Sequence, residues 1–202
     1  MKDQKNNPVL LVVGDDKLGR RLIHHLNENH LAPDLLIDRS TNFKRVLRLL
    51  RKRSIGLSLL IKMAFAEYRR KDHKVENQEG IKSNAELQRL AQDKRYEKIY
   101  LFRAGLIINK NIISSGVQIL NVHCASIPEY GGIGSIDRAL KNRDLNQNAT
   151  LYFITAKIDD GEIVATKQYV MDSSKSFLQN EDIAYEAGIQ LLIDELKTIN
   201  GL

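Results

Sequence analysis

The chain is poor in cysteine and has no long apolar run. Cys124 is the single cysteine among 202 residues. No internal disulfide framework can form, and a reducing cytoplasm is the expected setting. No apolar stretch reaches the roughly 20 residues that span a bilayer. The polar start, Met1-Lys2-Asp3-Gln4-Lys5, lacks the apolar core of a secretion signal. Neither an internal repeat nor a low-complexity tract is present. His123 and Cys124 have no further ligands at zinc-like spacing, so no metal site is expected. Neighbouring residues on an extended chain point apart, which argues against Cys124 as a thiol nucleophile working with His123.

What is present fits one globular domain, 1–202, large enough to bury a sizeable core. The formal charge of +6 suits an anionic partner (a phosphorylated substrate, a nucleic acid or a membrane surface) without choosing among them. The run 8–14 ends in glycine and reads as a buried parallel strand, 18–30 as a helix and 35–38 as a second strand. A strand, helix, strand opening predicts an α/β fold with a parallel sheet. Segments 43–53 and 57–71 read as basic helices, and 72–82 as a polar loop. Ser83-x-x-Glu86 is a capping box that starts a further helix. Strands are expected at 98–102, 118–122, 150–154 and 163–170, with a short helix over 134–140. An amphipathic helix over 182–199 closes the chain, with Gly201 just past its end.

Three residues carry the chemistry. Asn121 and His123 lie two apart on an extended segment, so their side chains point the same way. Asp159 follows in an Asp-x-Gly turn. A carboxamide, an imidazole and a carboxylate can together hold a developing oxyanion and move a proton, which suggests acyl transfer to an amine. The layout places His123 just beyond a strand's C-terminal end, where open α/β sheets bind ligands. Each residue also has a plainer reading: a strand-end Asn bonding backbone, a loop His, a turn Asp.

In order, the chain carries Asn121-Val122-His123, Ile127-Pro128, Tyr130, Gly132, Thr150, Asp159 and Gly161. In this it resembles the formyltetrahydrofolate-dependent formyltransferases. These include the glycinamide ribonucleotide, methionyl-tRNA and sugar N-formyltransferases. The resemblance is good over the last half of the chain and holds in outline over the first. It implies a Rossmann-like, mostly parallel twisted sheet with helices on both faces. It also implies formyl transfer from N10-formyltetrahydrofolate to an amine, without a metal, by Asn121, His123 and Asp159. The folate is expected along Arg103, Ala104, Gly105, Leu106, Ile107 and Ile108, and at Asp160 and Gly161. The plainer reading of 103–108 is a strand end and helix start. Tyr152 stands where the family pattern has His, and Asn148 where it has Gly.

Asp15 and Asp16 fill the loop that offers donors to a substrate phosphate in the glycinamide ribonucleotide enzyme. Their charges oppose an anion there. The sequence ends at Leu202, short of the further domain of the methionyl-tRNA enzyme, which turns the expectation away from tRNA. The favoured acceptor is the amine of a nucleotide-linked amino sugar. Glycinamide ribonucleotide is the alternative, and a silent relative that binds a nucleotide or a protein is a third reading. Lys44, Arg45, Arg48, Arg51, Lys52 and Arg53, with Arg69, Arg70 and Lys71, make 43–71 a solvated basic face, a peripheral membrane contact or a surface for a nucleotide or nucleic acid. Aromatic interleaving is sparse there, so nucleic acid is not favoured. A homodimer is left open.

Overall fold

The computed structural model of the chain describes residues 9–40, 56–76, 78–92, 96–157 and 159–201. The expected helix over 43–53 lies outside them. Seven strands form one sheet: β1 (Val9–Gly14), β2 (Asp34–Asp38), β3 (Gly80–Ile81), β4 (Lys98–Phe102), β5 (Gln118–His123), β6 (Asn146–Phe153) and β7 (Ile163–Val170). Their order is β3-β2-β1-β4-β5-β6-β7. The first five run parallel, and β6 and β7 are antiparallel additions. The helices are α1 (Lys17–Glu28), α2 (Leu57–Arg69), α3 (Asn84–Gln92), α4 (Lys110–Ile113), α5 (Ser135–Lys141) and α6 (Phe177–Asn200).

Strand β1 shows why the sheet sits at the centre. Val9, Leu11 and Val13 join a core with Leu22 of α1 and Ile189 and Leu192 of α6. Leu10 and Val12 face the other way, onto Leu87 of α3 and Ile112 of α4. Both faces are covered, so the strand reads as a continuous apolar run rather than an alternating one. Among the described residues no helix is long and apolar enough to cross a membrane.

Three expectations need correction. The polar segment 72–82 contains the short strand β3, which two residues of apolarity do not signal. His123 is the last residue of β5 rather than the first beyond it, because β6 continues the pairing to Thr150 opposite His123. The last helix begins at Phe177, five residues early. Ser176 caps it, accepting from Gln179 N–H while the Gln179 side chain returns to the cap's backbone.

Helix α2 is fastened through charges on its inner side. Lys62 reaches Asp137 Oδ1 at 2.7 Å, and Glu67 Oε1 accepts the Lys17 N–H at 2.8 Å. Arg70, just past the helix, is buried; its Nε donates to Asp182 Oδ1 at 2.8 Å and its Nη2 to Glu181. Burial opposes the guanidinium's charge, but Glu181 and Asp182 outweigh it and raise its pKa. Arg70→Ala would leave Glu181 charged, buried and unpaired. A loss of about 3–5 kcal/mol is expected in denaturant unfolding; a loss within about 0.5 kcal/mol, typical of surface changes, would contradict this role.

Candidate active site

Strand β5 carries Asn121 and His123 to the sheet's C-terminal rim, on the same face by alternation. Asp159 reaches them from the turn that leads from β6 to β7. That turn lies hard against β6: a Cβ on Gly161 would sit 1.6 Å from the Phe153 carbonyl oxygen, so only glycine fits. Asp159 itself holds φ 48°, a left-handed conformation that Asp and Asn tolerate better than most residues.

The three side chains converge. Asp159 Oδ2 stands 3.5 Å from His123 Nδ1 and accepts the Gly132 N–H at 2.6 Å. Its Oδ1 accepts the Tyr152 hydroxyl. That hydroxyl in turn accepts from Asn121 Nδ2 at 2.9 Å. His123 Nε2 lies 2.8 Å from the Tyr130 carbonyl oxygen. A carbonyl can only accept, so Nε2 carries hydrogen here. The contact of Nδ1 with Asp159 becomes an ion pair only when Nδ1 is protonated as well. The imidazole and carboxylate are largely sheltered, at 14% and 10% exposure, which strengthens each contact.

Tyr152 is the group that sequence reasoning did not count among the site residues. Strand register puts it directly opposite Asn121, and its place in the family pattern, where His is usual, was the available signal. Burial, then its bond to the Asp159 carboxylate, pushes the phenol well above its ordinary range, so it stays a donor. Tyr152→Phe would remove the link between amide and carboxylate. A stability loss of about 1–3 kcal/mol is expected by thermal or denaturant unfolding; an unchanged stability would contradict the bridge.

The folate stretch divides. The Arg103 guanidinium is committed to Asp16 Oδ2, 2.8 Å from Nε, and to the Tyr185 hydroxyl at 2.5 Å, over whose ring it also sits. Burial opposes its charge, yet Tyr185 and Asp16 hold its pKa well above the usual value. Ala104, Leu106 and Ile108 pack with Ile154 against the second core. Leu106 N–H donates to Asp38 at 2.8 Å, and Ile107 is exposed. The segment is irregular rather than a helix start. Asp160 pairs with Lys157 at 3.0 Å on the outside of the turn, next to Gly161. Cys124 is buried, and burial pushes its thiol up to about 12, which makes it inert as a nucleophile.

At the head of α1, the chain's own carboxylates take the donors. Asp16 Oδ1 accepts the Gly19 N–H at 2.8 Å as N-cap, and Glu67 takes the Lys17 N–H. Asp15 lies between Arg20 and Arg39, at 3.4 and 3.5 Å. Two clefts open elsewhere, of about 580 Å³ near Leu26 and Val75 and about 220 Å³ near Asp15 and Arg39. None of Asn121, His123 and Asp159 lines either. Among the described residues, no group of three or more His, Cys, Asp or Glu could hold a metal ion.

Fold and site together define a class: an α/β protein with an amide, an imidazole and a carboxylate meeting at one strand end. Residues 7–196 match the family model described as formyl transferase, and the chain belongs to that family. It is 33% identical over 93 residues to the methionyl-tRNA formyltransferase of Pseudothermotoga lettingae, which is 46% of this chain and 31% of that protein. The chain thus spans about a third of that relative's length. Among solved structures, a phosphoribosylglycinamide formyltransferase from Streptococcus pneumoniae superposes with TM-score 0.63 at 16% identity, covering 97% of this chain and 99% of that one. A sugar N-formyltransferase from a Shewanella species gives TM-score 0.63 at 17% identity, covering 95% and 70%. At these identities the likeness is one of fold.

Proposed function

We propose that the protein transfers a formyl group from N10-formyltetrahydrofolate to an amine, with the amino group of a nucleotide-linked amino sugar as acceptor. The observation that carries this reading is the convergence of Asn121, His123 and Asp159 around a single rim. The acceptor nitrogen attacks the formyl carbon and a new C–N bond forms. The carbonyl oxygen becomes an oxyanion, and the bond to folate N10 then breaks. One proton leaves the attacking nitrogen and one arrives at N10.

Asn121 keeps one amide hydrogen on Tyr152 and offers the other to the oxyanion. His123 donates from Nε2 once the formyl oxygen displaces the Tyr130 carbonyl. Asp159 balances the imidazolium and relays the proton, directly or through one water. The half-buried Ala104, Leu106 and Ile108, with backbone groups of 104–108, Asp160 and Gly161, form the wall for the pterin at the ends of β4 and β6. They offer what a flat heterocycle needs, apolar surface and a few backbone groups.

The head of α1 weighs against glycinamide ribonucleotide. A substrate phosphate there would compete with Asp16 and Glu67 for the same N–H groups and meet their charge. The test is turnover with labelled N10-formyltetrahydrofolate on a panel of amino-sugar nucleotides, glycinamide ribonucleotide and methionyl-tRNA, with formate release as the control. Label on an amino-sugar nucleotide is expected. Label on another amine alone would replace the acceptor; folate binding without transfer to any amine or to water would replace the enzyme with a silent binder.

A further inference from the structure

Helix α2 carries apolar residues on its outside as well as on the side that packs, where Ala66 is buried and Leu59, Leu60 and Met63 are partly buried. Lys62 and Glu67, with Arg70 following, are each matched to a group on α5, α1 or α6. The outer side of the helix carries Leu57, Ile61, Phe65 and Tyr68, which are 64%, 60%, 59% and 79% exposed. The spacing of four, four and three makes them one continuous stripe. Of the readings the sequence left open for the basic segment, a peripheral membrane contact among them, the solvated face does not hold over α2, which presents apolar groups to the outside.

The stripe ends on cations: Arg69 and Lys71 stand exposed there. In the sequence just ahead of it, Lys44, Arg45, Arg48, Arg51, Lys52 and Arg53 come without an intervening acid. The one carboxylate of α2, Glu67, is turned inward onto the Lys17 N–H. A second copy of the chain on this face would add its own exposed Arg69 and Lys71 to those already there, at a Coulombic cost. An anionic lipid surface satisfies both the stripe and the charge.

We infer that the outer face of α2 docks on an anionic lipid bilayer. The helix lies in the plane of the interface. Leu57, Ile61 and Phe65 enter between headgroups, Tyr68 sits at headgroup level, and the flanking cations meet the lipid charge. The inference is independent of the enzymatic reading, since none of these residues belongs to the candidate site.

The experiment is sedimentation of the full chain with vesicles of phosphatidylcholine alone or mixed with phosphatidylglycerol, at low and high salt. Binding is expected on the mixed vesicles at low salt, weakened by salt, and not on the neutral ones. The double variant Ile61→Asp, Phe65→Asp, with both changes at exposed positions, should lower the bound fraction at least about tenfold. Because the chain has no tryptophan, Phe65→Trp gives a single fluorophore whose emission should shift blue on the mixed vesicles. Absence of pelleting, binding undiminished in the double variant, an unshifted emission, or self-association that the double variant abolishes would each overturn the inference.

Discussion

His123→Ala should slow formyl transfer by about 10²–10⁴-fold, the range for loss of a positioned acid–base group. The imidazole contacts a main-chain carbonyl and the Asp159 carboxylate and is not part of the apolar core, so the fold should be retained. On the proposed mechanism, its removal deletes the donor at the formyl oxygen and takes from Asp159 its imidazole partner. The check is single-turnover transfer at saturating folate, with circular dichroism and a melting curve on the same sample. A folded variant that transfers at a near-normal rate would remove His123 from the mechanism.

Asp159→Asn should cost a comparable factor, about 10²-fold or more, for a different reason. The amide keeps the shape of the carboxylate but has one acceptor oxygen, so it can keep the Gly132 N–H and then turns its NH2 to the Tyr152 oxygen. It also tolerates the left-handed backbone at φ 48°, where most other residues would be strained. What it loses is charge and one acceptor. On the proposed mechanism an imidazolium at His123 then has no counter-ion and the departing proton no acceptor. The effect should fall on kcat more than on folate affinity; a variant weakened only in folate binding would make Asp159 a binding residue instead.

Most of the architecture was legible because it rests on patterns of short range. The apolar run ending at Gly14 marks β1 because both sheet faces are covered there. The shared face of Asn121 and His123 was legible because alternation along β5 is independent of the rest of the fold, and the turn that holds Asp159 because the approach of Gly161 to β6 demands glycine. Tyr152 was visible as an unusual residue, but its role depends on cross-strand register with Asn121, which a single sequence does not display. The same applies to Arg103. Its position beside the site was readable; that its side chain turns to Asp16 and Tyr185 is a tertiary fact. Helix α2 was readable as a helix. Its orientation was not, because it depends on the partners that Lys62, Glu67 and Arg70 find on three other elements, which a single sequence does not display.

The central claim concerns where the one-carbon unit sits. A crystal structure of the protein with a non-transferable N10-formyl folate analogue measures this directly. The formyl oxygen is expected within about 3.2 Å of both Asn121 Nδ2 and His123 Nε2, with the Tyr130 carbonyl displaced and the pterin against Ala104, Leu106 and Ile108. An analogue whose formyl group lies away from these two donors, or faces a different pocket, would contradict the account.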